Sequence, residues 1–237
     1  MKTTFLNLLG ATAAISLTLG VSGAMAQESD GPKFSFNLGA GNEYVFRGFS
    51  PTDEDPQVFG GVDAAYGIAY AGAWVSNVDF LDSTDVEFDL YAGIKPTAGP
   101  VTFDLGVIYY GYADQPAGAD YDYWEGKVAA SAPVGPVTLG AAVYYSPDFF
   151  SLAEEAWYYE ANAAVAVPDS KFTVSGALGR QEQDGGLDYT TWNVGLGYAL
   201  TDHVTFDVRY VDTNASNAAD PLGWGDGRVV GGVKLIW

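Results

Sequence analysis

The segment Val86–Tyr110, VEFDLYAGIKPTAGPVTFDLGVIYY, decides the fold class of this chain. Val86, Phe88, Leu90, Ala92 and Ile94 alternate with Glu87, Asp89, Tyr91 and Gly93. The sequence PTAGP (96–100) interrupts the pattern. It resumes with Val101, Phe103, Leu105, Val107 and Tyr109 against Thr102, Asp104 and Gly106. A period of two sends successive side chains to opposite faces of a strand, and Gly and Pro supply the backbone angles of a tight turn. The segment reads as an antiparallel hairpin.

The same period recurs on both sides of it. Phe34, Phe36, Leu38 and Ala40 alternate with Ser35, Asn37, Gly39 and Gly41, and the pattern reads on through Tyr44 and Phe46. Further runs occupy 58–66, 68–74, 121–132, 137–146, 156–167, 171–181, 189–199, 204–211 and 228–237. Twelve strands of about 9–12 residues result, the length that spans a bilayer when tilted. No segment keeps a 3.6-residue period over a useful length. The connections at 67, 96–100, 133–136, 168–170 and 200–203 are short. The alternate ones, 49–56, 81–84, 113–120, 147–155, 182–188 and 212–226, are mostly longer, and several are acidic. The expected class is all-β: a transmembrane antiparallel up-and-down barrel with short periplasmic turns and longer extracellular loops. A soluble sandwich or lipocalin-like barrel has no reason to sort its loops this way.

The face that holds Phe, Leu, Val, Trp and Tyr is expected to meet lipid, and the Gly- and Ala-rich face to line a lumen. On this reading Tyr44, Phe46, Ile68, Tyr70, Gly72 and Trp74 point outward, and Ala69, Ala71 and Ala73 point inward. Aromatic residues gather near strand ends as two girdles. Phe34, Tyr66, Tyr70, Phe103, Phe172, Tyr198 and Trp237 lie toward the short turns, and Tyr109, Trp124, Tyr145 and Trp157 toward the long loops. The last strand ends on Trp237, which resembles the terminal signal read by barrel-assembly machinery. That machinery and outer-membrane lipid are the expected partners.

Composition narrows the function. The chain has 237 residues, a net charge of −20 and no Cys. Disulfides, thiolate metal sites and a Cys nucleophile are excluded. Ten basic residues against 30 acidic ones make a poor nucleic-acid binder. Residues 1–26 combine Lys2, the apolar run FLNLLGATAAISLTLGV and Ala24-Met25-Ala26, the pattern of a cleaved secretory signal. A retained membrane anchor is the rival, but no basic stop-transfer flank follows. Residues 27–237 are expected to form one outer-membrane barrel domain.

The stretch EYVFRGFSPTDEDPQVFGGVDAAY resembles the first hairpin of the TorF-type porins, a proteobacterial outer-membrane family. Tyr44, Arg47, Gly48, Ser50, Pro56, Gly60, Gly61 and Asp63 match its Tyr-x-x-Arg-Gly-x-Ser segment and the strand after it. YAGAWVSNVDF is similar to the family's next strand at Gly72, Trp74, Ser76 and Asn77. Asn42-Glu43 stand where a Ser usually opens the motif. The resemblance implies a porin-like barrel in the bacterial outer membrane and leaves the solute open.

The expected lumen lining is Glu43, Arg47, Asp79, Asp85, Glu87, Asp89, Glu125, Lys127, Glu160, Asp207, Arg209 and Arg228. Arg47, Arg209 and Arg228 fall on strands that barrel closure makes neighbours. Asp79, Asp85, Glu87 and Asp89 fall on strands three and four. A basic wall facing an acidic one orients polar solutes, whereas Glu43 and Asp207 beside the arginines offer simple ion pairing instead. Excess acid favours small polar or cationic solutes. The loop sequences TDED (52–55) and LAEE (152–155) suit solvation, or divalent ions bridging lipopolysaccharide. An enzyme is disfavoured: the single His203 lies in a short turn, and no phosphate loop, metal-ligand spacing or cofactor motif is present. A non-conducting structural or adhesive barrel, its lumen filled by Tyr110, Tyr144 and Tyr158, is the alternative.

Overall fold

The computed structural model describes residues 31–151, 154–215 and 220–237. The expected signal segment and the first two residues of LAEE lie outside them. The strands are β1 (Lys33–Gly41), β2 (Gln57–Tyr66), β3 (Ala69–Asn77), β4 (Val86–Ile94), β5 (Thr97–Ala98), β6 (Val101–Ala113), β7 (Tyr123–Val134), β8 (Val137–Ser146), β9 (Ala156–Ala166), β10 (Phe172–Gln183), β11 (Tyr189–Ala199), β12 (Val204–Thr213) and β13 (Arg228–Ile236). β5 is a two-residue ladder inside the PTAGP turn. The other twelve strands make one antiparallel cylinder. β1 pairs with β13 through Asn37↔Ile236 to Gly41↔Gly232, and β4 pairs with β6 through Val86↔Ala113 to Ile94↔Leu105. Closure gives each of these twelve described strands a partner on both sides, as a hydrocarbon surround demands.

Local chemistry explains the tight turns. Gly99 and Gly135 have φ of 60° and 62°, and a Pro follows each. Gly at the first central position and a negative-φ residue at the second suit a type II′ turn, whose twist matches that of the flanking strands. His203 sits in the 200–203 turn with Nδ1 against the Ile236 carbonyl at 2.8 Å.

The outer face is apolar, with Phe34, Val58, Val128 and Val208 all more than half exposed. Inward side chains divide the lumen lengthwise. Toward the short turns Ser35, Asn37, Asp63, Asn162, Thr173 and Lys234 retain solvent access. Toward the long loops, Gln57, Trp74, Glu87, Asp89, Tyr110, Tyr123, Tyr144, Tyr158 and Gln181 form a packed layer with almost none.

Two expectations are corrected. β3 faces the other way: Trp74 is buried against Tyr44, Tyr70 donates to Asp104 Oδ1 at 2.6 Å, and Ala69, Ala71 and Val75 point out. Tyr70 therefore belongs to no girdle. Strand one also stops at Gly41, and the residues that seemed to prolong it turn into the barrel.

Candidate functional site

Residues 43–52 fold inside the cylinder and close its long-loop end, and residues 54–56 return exposed along its rim to β2. Phe46 and Phe49 exchange backbone hydrogen bonds of 2.8 and 3.0 Å, so Arg47 and Gly48 form a two-residue hairpin loop. Their φ values are 49° and 94°. Left-handed angles at both central positions define a type I′ turn, which Gly48 adopts freely and Arg47 adopts at a cost of about 1–2 kcal/mol. A Cβ on Gly48 would also stand 2.4 Å from Thr213 Cγ2 and 2.6 Å from Thr191 Oγ1. Ser50 and Thr52 fasten the returning arm. Thr52 Oγ1 accepts from the Tyr44 amide at 3.1 Å, and Ser50 Oγ from the Glu54 amide at 2.9 Å. Neighbouring loops hold it from outside: Trp224 Nε1 donates to Asp53 at 2.8 Å, and the Asp79 amide to the Pro51 carbonyl at 2.8 Å.

Tyr44 and Phe46, expected against lipid, are therefore lumen residues. Tyr44 is fully buried; its ring meets Trp74 edge-on, and its hydroxyl donates to Glu87 Oε1 at 2.7 Å. Phe46 packs on Tyr110 at 5.8 Å. The physical reason is that a lumen of this width has to be filled, and a tyrosine brings both apolar area and a polar tip that reaches a wall carboxylate.

Arg47 is the centre of the plug. Its Nη1 and Nη2 donate to the two oxygens of Glu125 at 2.7 Å each, and Nη1 also reaches Gln181 Oε1 at 3.2 Å. Its guanidinium lies 4.7, 5.0 and 4.3 Å from the ring centres of Phe46, Tyr144 and Tyr158. The bidentate pairing and the ring faces make this a charge held on every side inside a low-dielectric layer. Glu125 also accepts from Tyr110 at 3.1 Å, and Tyr110 stacks on Tyr123 at 4.4 Å.

The structure separates the other expected lumen residues. Arg47 does not join Arg209 and Arg228 as one basic wall; it crosses the lumen to β7. Arg228 pairs with Glu43 and Glu54 at 3.2 Å each. Arg209 meets Asp207 at 3.3 Å and also reaches Asn193 and Ser175. Lys127 pairs with Asp104 at 2.7 Å, a partner outside the expected set. Glu160 accepts from Tyr158 and Asn162. Glu87 and Asp89 point inward from β4, and both are buried. Asp79 and Asp85 do not belong with them. Asp79 sits in the loop after β3 and caps the Leu81 amide, and Asp85 is exposed just before β4. Two opposed walls are thus replaced by short-range ion pairs, because Arg47, Lys127, Arg209 and Arg228 each find a carboxylate within 3.3 Å. The plug itself was missed: Arg-Gly is not among the Asn-Gly, Asp-Gly and Gly-Gly pairs that mark such a turn, and only Gly48 hints at one.

The fold has known counterparts. The KdgM porin is similar at 11% identity and a TM-score of 0.59, with 85% of this chain and 98% of that chain covered. The KdgM porin in complex with disordered oligogalacturonate is similar at 12% identity and a TM-score of 0.56, covering 85% and 97%. The outer membrane channel DcaP of Acinetobacter baumannii matches at 11% identity and a TM-score of 0.48, covering 89% and 99%. For the two KdgM structures, at these identities, the likeness concerns the fold, a closed twelve-stranded antiparallel barrel of the outer-membrane porin kind. No curated protein matches the sequence. A bacterial family described as "Bacterial protein of unknown function (Gcw_chp)" matches residues 25–225. With most of its length matched, the chain belongs to the Gcw_chp family.

Proposed function

We propose that this chain is a porin-like channel of the bacterial outer membrane, of the TorF type, that passes small cations and small polar solutes. The observation that carries the reading is a closed barrel, apolar outside, whose inner wall bears charges of both signs. Toward the short turns that wall keeps Asp63 and Lys234 in contact with solvent, as a wet lumen does. The band of exposed Phe, Leu and Val calls for lipid on the outside. The likeness to porin structures supports the same reading at the level of fold.

The plug sets the conditions of passage. The half of the lumen next to the short turns is accessible, and the packed layer closes the other half. Ions cross when residues 42–56 swing out of that layer, which leaves the ladder of β1 with β2 intact.

Charge sets the preference. Apart from the lumen-facing side chains, the long loops and adjoining strand ends hold eighteen of the 30 acidic residues and one basic residue, Arg180. Such a mouth concentrates cations and repels anions. An acidic oligosaccharide of the kind bound by the KdgM porin is disfavoured here.

The test is planar-bilayer conductance of the refolded chain under a salt gradient. Discrete steps with a cation-selective reversal potential support the reading. Silence from protein shown to be folded would favour a second reading, a non-conducting structural barrel, which the packed layer of tyrosines supports.

A further inference from the structure

Taking residues 42–56 as the gate of the lumen, as proposed above, we infer that their docking takes up one proton at Asp89, beside Glu87, so that the plug closes more tightly as pH falls and releases as pH rises. The two carboxyls are two positions apart on β4 and point into the packed layer, where Glu87 is 2% and Asp89 0% exposed. Glu87 accepts from the Tyr44 hydroxyl at 2.7 Å. Both carboxyl oxygens of Asp89 are out of reach of solvent and accept no hydrogen bond. Their ladder neighbours are neutral: Trp74 and Ser76 on β3, Tyr110 and Tyr112 on β6. Gln57 of β2, Thr84 before β4 and Tyr123 of β7 are buried and neutral as well. Charged groups enter or border the layer at Glu125 and Lys127 on β7, at Glu43 and Arg47 on the plug and at Arg228 on β13. All three cations are taken: Arg47 by Glu125, Lys127 by Asp104, and Arg228 by Glu43 and Glu54.

Two like charges shut away from water without a cation are far less stable than a pair that shares one proton. The proton sits on Asp89, which has no donor, while Glu87 keeps its charge and its bond from Tyr44. The plug is the lid over this proton. Trp74 and Tyr110 flank Asp89 in the two ladders of β4, and the plug rests a ring on each: Tyr44 on Trp74 at 5.7 Å and Phe46 on Tyr110 at 5.8 Å. When Tyr44 and Phe46 withdraw, water of the lumen reaches Asp89, which then ionises as an exposed carboxyl does. The docked state therefore binds one more proton than the released state. Docking is at full strength below about pH 4, where exposed carboxyls are protonated, and weakens about tenfold per pH unit above it while the docked plug keeps its proton. The ion pairs act with the opposite sign, because acid that protonates Glu125 or Glu43 strips Arg47 or Arg228 of a partner and loosens the plug.

The test is loop-side protease cleavage of the plug in the refolded chain, in lipid vesicles from about pH 5 to 8.5, for the wild type and Asp89→Asn. The ratio of the two rates at each pH cancels the protease's own pH dependence and the titration of His203, Glu43 and Glu125, which both chains share. A wild-type to Asp89→Asn ratio that rises at least tenfold from the lowest pH to the highest is expected. Single-channel open probability should climb with pH more steeply in the wild type than in the variant. A ratio that is flat or falls with pH overturns the proposal. If Asp89→Asn does not fold, the infrared carbonyl band of a protonated carboxyl is read at about pH 6 in the wild type and in Arg47→Met, whose plug is released. The band is expected in the wild type and lost in Arg47→Met, and its absence from the wild type overturns the proposal. A ratio that follows pH in a chain that never conducts would refute the channel and leave the proton linkage standing. Conductance steps that ignore pH, with a flat ratio, would leave the channel and refute the linkage.

Discussion

Replacing Arg47 by Met tests the plug directly. The guanidinium makes two 2.7 Å bonds to Glu125, and the two side chains are only 6% and 2% exposed. Its removal leaves Glu125 buried with the Tyr110 hydroxyl as a remaining donor. Breaking a buried ion pair from one side costs about 3–5 kcal/mol, most of it the stranded charge. Met keeps much of the stem's contact with the Tyr144 and Tyr158 rings, so packing loss is the smaller share. The cost falls on the docking of residues 42–56 rather than on the barrel, because β1 and β2 remain paired up to Gly41↔Gln57. At about 1.4 kcal/mol per decade, the docked-to-released ratio drops by two to more than three orders of magnitude. Single-channel recording in planar bilayers should show longer or larger openings, and protease added on the loop side should nick the segment faster. The double variant Arg47→Met with Glu125→Gln removes the stranded charge and should recover most of the closed behaviour. Arg47→Met that resists protease and conducts like the wild type would refute the plug. So would a double variant as open as the single one.

Further predictions follow from other contacts. Gly48→Ala adds a Cβ within 2.4 Å of Thr213 at a φ of 94°, so the turn must distort; plug release similar in direction to that of Arg47→Met is expected in the protease assay. Tyr44→Phe loses a bond to a buried carboxylate worth about 1.5–3 kcal/mol, so its release should be smaller than that of Arg47→Met in the same recordings. Val128→Arg places a charge near the middle of the outward face of β7 and should lower stability in lipid vesicles by about 2–4 kcal/mol, read from urea unfolding. Cation selectivity carried by the acidic mouth should weaken as salt rises from 0.01 to 1 M, since the Debye length shrinks from about 30 to about 3 Å. A reversal potential per unit gradient that does not change with salt would move the filter from the loops into the lumen.

The alternating residues of Val86–Tyr110 were enough to establish a strand pair, and their recurrence was enough to establish twelve strands in an up-and-down order. This follows because period two is a backbone property, visible wherever one face differs from the other. The orientation of a strand is less legible when both faces lack charge. In β3 the choice lay between Tyr70, Gly72 and Trp74 and the small Ala69, Ala71 and Ala73. Hydropathy favours aromatic rings against lipid, but the lumen needed filling, and Tyr70 and Trp74 fill it.

The site was less legible still. Glu87, Asp89, Glu125, Lys127, Glu160, Asp207, Arg209 and Arg228 were placed inward by parity alone, and the structure has them there. Parity says nothing about partners, so one basic wall and one acidic wall seemed as natural as local pairs. Asp79 and Asp85 were misplaced because the alternation was carried past the strand ends: β3 stops at Asn77 and β4 starts at Val86.

What the sequence determined by itself was the barrel: its strand number, its turns and the polarity of most of its faces, all written in contacts between near neighbours. Only the tertiary structure decided where residues 42–56 go. Arg47 meets Glu125 across 78 positions and Arg228 meets Glu43 across 185, and pairs at such separations exist only once the cylinder has closed and brought distant strands around one lumen.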